Sequence, residues 1–140
     1  CGSQTKKLIK KSQDLGLSKK VKFIGRYDYA TLPELLNKHD LFISTSLSDA
    51  GIASSIAEAM ACQKIVIVSD SGENKLWISN NVNGFLFKTG CSKSLYDAII
   101  RAIDRKNLWH EIGVKARETI LERNDISNEM KKMCKLMDLV

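Results

Sequence analysis

An α/β fold built on a doubly wound parallel sheet is the architecture this sequence predicts, and three observations predict it. Helix-period and strand-like stretches alternate along nearly the whole chain. Leu41–Ser44 and residues 65–68 are short continuous apolar runs, the pattern of strands buried on both faces of a parallel sheet. The links between them are short, and strand and helix alternating across short links close into a sheet with right-handed crossovers.

Each element has its own signal. Leu8, Ile9 and Leu15 mark an amphipathic helix over residues 3–15, with Gly16 placed to end it. Residues 21–25 read as a short strand. Residues 31–38 read as a helix with Pro33 in its first turn, where a missing N–H donor costs nothing. The strand Leu41–Ser44 follows, then a helix bearing Glu58, then the strand over 65–68. The polar turn Ser69-Asp70-Ser71-Gly72 leads to a short helix ending near Ser79, a turn over residues 80–84 and a strand Phe85–Phe87. Three helices close the chain, at Ser92–Asp104, 107–122 and 126–139.

At 140 residues the chain fits one domain and can bury about two-thirds of its unfolded surface. Its 44% hydrophobic and 27% charged residues are ordinary for a globular domain. No run of about 20 apolar residues is present to span a bilayer. No apolar core follows Cys1-Gly2-Ser3, so the start does not read as a signal peptide. The net charge of +6 concentrates in Lys6, Lys7, Lys10, Lys11, Lys19, Lys20 and Lys22. That run reads first as a solvated helix face and the loop after it, and second as a peripheral contact with an anionic membrane surface. Nucleic acid is excluded as a partner, because no aromatics interleave with the basic residues and no binding motif accompanies them. Cys1, Cys62, Cys91 and Cys134 stand far apart, as do His39 and His110. No metal site is expected from such spacing, and scattered cysteines fit a reducing, cytoplasmic setting.

The chemistry concentrates between Ser46 and Asp70. Asp49 precedes a turn of small residues, Ala50-Gly51-Ile52-Ala53, which opens the helix bearing Glu58. Such an opening leaves backbone N–H groups without intrahelical partners at the positive end of the macrodipole, which suits a phosphate. Gly51, Ile52, Ala53, Ser54 and Ser55 are the expected cradle, and a capping role for the serines is compatible with it. Glu58 sits among Ala57, Ala59, Met60 and Ala61, and a carboxylate in apolar company needs partners. Neutral hydroxyls of a ribose would provide them. Arg26 and Tyr27 follow the strand at 21–25, and Gly72, Glu73 and Asn74 follow the one at 65–68, both at the carboxyl edge where doubly wound sheets bind ligands, the latter three as expected contacts to a sugar.

These segments resemble the donor-binding half of retaining glycosyltransferases of the GT-B fold, the large family four. Glu58-Ala59-Met60-Ala61 is similar to that family's Glu-Ala-Met-Ala, and Val21-Lys22-Phe23-Ile24-Gly25 to its Val-x-Phe-x-Gly strand. His39-Asp40-Leu41-Phe42-Ile43-Ser44 resembles its Ala-Asp strand. Gly72, Asn74, Trp77 and Ile78, then Asn83-Gly84-Phe85-Leu86, resemble two segments of one branch. Two departures stand out. Eight residues before Glu58, where the family carries its first Glu, this chain has Ala50, with Asp49 one place early. The family's Gly-x-Pro is Gln63-Lys64-Ile65 here.

The resemblance implies a Rossmann-like C-terminal half of a GT-B fold in which residues 1–140 form an N-terminally truncated nucleotide-sugar domain, lacking the first two strands of the 3-2-1-4-5-6 order. It implies retaining transfer of a sugar from a nucleoside-diphosphate sugar to a glycan or lipid-linked acceptor bound by a missing N-terminal domain. No cofactor or metal is implied, and the chain alone is expected to be inactive. Asp49 and Glu58 are the implied catalytic residues, Asp49 facing the donor sugar. Arg26 and Tyr27 are placed by the resemblance near the phosphates and the base. A non-catalytic nucleotide-sugar module and a nucleotide-sugar epimerase of the same fold are the alternatives.

Overall fold

The computed structural model describes residues 4–48 and 51–123. Contacts divide the chain into two units, one up to Pro33 and one from Glu34 on. In the first, α1 (Thr5–Asp14) ends just before Gly16, where the sequence places its stop. The Asp28 carboxylate accepts a hydrogen bond from the Ala30 N–H at 3.1 Å and starts a 3-10 turn, Tyr29–Thr31. That turn runs directly into α2 (Leu32–Asn37), with Pro33 in the first helical turn as expected.

Residues 21–25 are not a strand. They take irregular backbone, with Val21, Phe23 and Ile24 exposed by 40%, 42% and 51%. The local pattern favours extended backbone, but a strand also needs a neighbour to take its N–H and C=O groups. Among the described residues no strand pairs with this segment, and the Val21 N–H goes to the Leu17 carbonyl of the preceding turn. The expected sequence of strands is thus shortened by one more.

From Glu34 on, three strands form one parallel sheet in the order β1 (Leu41–Ser44), β2 (Ile65–Ser69), β3 (Phe85–Phe87). Leu41 pairs with Ile65 and Ser44 with Val68, while Ile67 pairs with Phe85 and Ser69 with Phe87. All three carboxyl ends therefore meet at one edge. The central strand β2 is buried along its whole length, as a two-sided apolar run demands. Complete burial of β1 was also expected, yet it is only half-buried and Ile43 is exposed by 41%. β1 lies at one edge of the described sheet, and β3, at the other edge, is covered by α5, whose Ala98 and Ala102 pack with Phe85 and Phe87.

Helices fill the links. α3 (Ser54–Ala61) joins β1 to β2, and the four-residue α4 (Asn74–Trp77) joins β2 to β3. After β3 come α5 (Ser92–Asp104), a 3-10 turn at Lys106–Leu108, and α6 (Trp109–Arg123). One core cluster joins Ile65, Ile67, Phe85 and Phe87 to Ala98 and Ala102 of α5 and Ile112 of α6. Alternation along β2 turns Val66 and Val68 to the opposite face, the side of the α3 crossover, and α3 contributes Ile56, Ala59 and Met60, all fully buried. The helix expected at 126–139 lies outside the described residues, as do Cys1-Gly2-Ser3 and Cys134.

Candidate functional site

The loops leaving β1 and β2 are tied together by serines. The Ser69 hydroxyl donates to the Ser46 carbonyl at 2.6 Å, and the Ser71 hydroxyl reaches the same oxygen at 3.3 Å. Ser69 Oγ and Ser71 Oγ lie 2.9 Å apart and share a hydrogen bond. Asn74, fully buried at the start of α4, donates its side-chain N–H to the Ser69 carbonyl at 3.1 Å. Asn74 thus anchors the turn that holds Gly72 rather than presenting a polar group at the surface. Gly72, exposed and at φ +52°, lies on the open side of that turn.

Past β1 the chain turns into α3. Gly51 takes φ +75°, a left-handed conformation that glycine adopts without steric cost, and Ile52 and Ala53 follow it half-buried. Ala53 is the N-cap, and having no side-chain oxygen it makes no side-chain cap to the first turn. The first helical bonds run from Ile56 N and Ala57 N to the Ala53 carbonyl. The amides of the exposed Ser54 and Ser55 precede those bonds and lie at the positive end of the helix. Glu58 follows Ser54 by one turn. It is half-buried between fully covered neighbours, and among the described residues its carboxylate takes no hydrogen bond or ion pair. A helix start without a side-chain cap, with a carboxylate acceptor one turn along, can receive an anion and the hydroxyls next to it.

The far end of α3 explains one departure in the sequence. Gln63, where the resembling family has glycine, takes φ +56°. Gln63 N donates to the Met60 carbonyl and Lys64 N to that of Ala59, each at 2.9 Å, which is the Schellman arrangement of a helix C-terminus. The left-handed geometry is kept without the glycine.

Asp70, which leaves the end of β2, joins the loop after β3. It accepts from the Thr89 N–H at 2.8 Å and the Thr89 hydroxyl at 2.7 Å, and Lys75 Nζ stands 3.4 Å away. The Thr89 amide and then its hydroxyl, with help from Lys75 and against a burial penalty, hold the Asp70 carboxyl below its ordinary value of 3.8. Beside this bridge, Thr45, Leu47, Phe87, Gly90, Cys91, Ser92 and Leu95 line a cleft of about 240 Å³.

Of the residues singled out in the sequence, Gly51, Ile52, Ala53, Ser54, Ser55, Glu58, Gly72 and Asn74 all belong to the unit that holds the sheet. Arg26 and Tyr27 belong to the other, where both are exposed. Asp49 and Ala50 lie outside the described residues.

The family model of the glycosyl transferases group 1 matches residues 1–119. The chain belongs to this family. The poly(ribitol-phosphate) alpha-N-acetylglucosaminyltransferase of Staphylococcus aureus is 30% identical over 139 residues, which is 98% of this chain and 27% of that protein. HepE of Anabaena, solved in complex with UDP, is 28% identical with a TM-score of 0.86, covering 96% of this chain and 36% of that one. The C-terminal domain of a glycosyl transferase group 1 protein of Francisella tularensis has the same fold, with a TM-score of 0.76 at 24% identity over 86% of this chain and 62% of that one. The chain therefore has the Rossmann-like C-terminal fold of GT-B glycosyltransferases and spans about a third of the curated relatives' length, 33% and 27%. Among the described residues, no helix of this family member is long and apolar enough to cross a membrane.

Sequence reasoning about this glycosyl transferases group 1 chain missed the serine ties and the Asp70–Thr89 bridge. A faint signal existed, since serines follow both β1 and β2 within two residues of the strand ends. Which carbonyl they reach depends on the register of the two strands.

Proposed function

We propose that this chain is the donor-binding domain of a retaining glycosyltransferase, moving a sugar from a nucleoside-diphosphate sugar to a glycan or lipid-linked acceptor held by the remainder of the protein. The observation that carries this reading is the pairing, among the described residues, of an α3 start without a side-chain cap and a Glu58 carboxylate without a partner one turn along, at the carboxyl edge of a parallel sheet. In it the diphosphate docks on the amides around residues 51–55, and Glu58 accepts from the ribose hydroxyls. As the sugar–phosphate bond loosens, charge grows on the leaving diphosphate, and preorganised amides at the helix start stabilise it without solvent rearrangement. Asp49 is assigned to the donor-sugar side, and Arg26 and Tyr27 to the phosphates and base. HepE of Anabaena, solved with UDP and with UDP-glucose, supports a nucleotide-sugar donor. The scattered cysteines favour a cytoplasmic setting, with the basic run of the first helix as its contact to an anionic membrane face.

Titration calorimetry with UDP-, GDP- and ADP-sugars on the protein at full natural length tests binding, and a sugar-transfer assay tests catalysis. Glu58→Ala is expected to lower transfer about a hundredfold, the scale of losing hydrogen bonds to a charged acceptor. Unchanged transfer in that variant refutes the assignment. A second reading, a non-catalytic nucleotide-sugar module, is favoured by Ala50, which puts a methyl group where the family carries an acid. It requires binding without turnover.

A further inference from the structure

Glu73 is the N-cap residue of α4, but its side chain does not cap that helix. The carboxylate reaches instead across to the neighbouring loop, where a Cβ built on Gly51 would lie 3.9 Å from Glu73 Oε2. Glu73 is exposed, and among the described residues it takes no hydrogen bond or ion pair. It therefore hangs over the turn that opens α3, next in sequence to Ala50, a position that offers no carboxylate of its own.

Charge decides what such a group can do. An ionised carboxylate only accepts hydrogen bonds, so it repels a phosphate and attracts the hydroxyls attached beside one. The positive end of α3 attracts a carboxylate toward the turn. A ligand that suits both the amides at residues 51–55 and this carboxylate presents a diphosphate followed at once by a hydroxyl-bearing ring.

We propose that Glu73 receives the hydroxyl groups of the transferred sugar, supplying from the β2–α4 loop the acid absent at position 50. This rests on the donor-binding reading above and goes beyond it by assigning sugar recognition to a residue on a different loop. Glu58 then holds the nucleoside end of the donor and Glu73 the sugar end. The sugar side of the site is set by a loop that the serines of Ser69 and Ser71 fasten to β1's own loop.

The test compares UDP with UDP-glucose, and likewise the guanosine and adenosine pairs, by calorimetry on the full-length protein, wild type and carrying Glu73→Gln. Glu73→Gln is expected to bind the free diphosphate at least as tightly as wild type, since a nearby negative charge is gone. It should lose about tenfold of the affinity that the sugar adds, with a matching fall in kcat/KM. Moving the acid, in Glu73→Gly with Ala50→Glu, is expected to restore that increment. Retention of the full sugar increment in Glu73→Gln overturns the assignment of Glu73 and leaves the donor-binding reading standing. Wild-type protein that binds none of the six ligands overturns both.

Discussion

Helix α6 passes the turn between α3 and β2 so closely that a Cβ on Gly113 would lie 2.5 Å from the carbonyl oxygen of Gln63. The obstacle is backbone on both sides, so no side chain can move aside to relieve it. Gly113→Ala is expected to push α6 away from α3 and cost about 1–3 kcal/mol, the range for overpacked sites. Denaturant unfolding of wild type and variant reads the difference. An unchanged midpoint would mean that the two helices slide apart freely.

Gln63 itself carries a cost that can be removed. At φ +56° its Cβ crowds the backbone, a strain of about 1–2 kcal/mol for an L-residue, while the Schellman bonds hold it there. Gln63→Gly relieves the strain but makes the unfolded chain more flexible, so a net gain of about 1 kcal/mol is expected. A lower melting temperature in Gln63→Gly would contradict the left-handed assignment.

The sheet was legible because its signals are local. Leu41–Ser44 and Phe85–Phe87 have the expected limits, and β2 adds only Ser69. Residues 21–25 carry the apolar Val21, Phe23 and Ile24 and yet form no strand, because strand formation also depends on a partner the local pattern cannot name. Glu58 was legible for a similar reason: helical period alone sets it one turn past Ser54 among buried alanines. The approach of Glu73 to Gly51 and the reach of Ser69 to Ser46 join residues more than 20 positions apart, through loop conformations no period encodes.

The bridge from Asp70 to Thr89 makes a pH-dependent contribution of known sign. The carboxyl is held below 3.8 in the folded chain, so the folded state favours the ionised form. Its contribution is fully present above the unfolded carboxyl pKa of about 3.9 and is lost as pH falls through the folded value. Asp70→Asn should therefore lower the melting temperature at pH 7, with the gap to wild type closing as pH drops below about 4. Thr89→Val, which removes the hydroxyl donor and keeps the amide, is expected to cost less than about 1 kcal/mol. A gap between wild type and Asp70→Asn that widens on acidification would show that the bridge acts through something other than the carboxylate charge.

Asn83 explains why a polar residue occupies a buried turn ahead of β3. Its side-chain oxygen accepts from Ser79 N at 2.8 Å, and its amide nitrogen donates to the Trp77 carbonyl and to Thr119 Oγ1, each at 3.0 Å. The three bonds join the end of α4, the turn and α6 through a residue only 5% exposed. Asn83→Asp keeps the shape and replaces the donating nitrogen with oxygen, setting a carboxylate against the Trp77 carbonyl. A cost of about 2–3 kcal/mol at pH 7 is expected, the scale of an unsatisfied buried charged group. Burial and that facing carbonyl raise the folded-state pKa of the introduced carboxyl, so protonation restores a donor and the penalty should shrink as pH falls toward 4. Asn83→Ala leaves Ser79 N and the Trp77 carbonyl unpartnered and should cost a similar amount with no such pH dependence. If both variants lose stability equally at every pH, the amide nitrogen is not the group that fastens this turn.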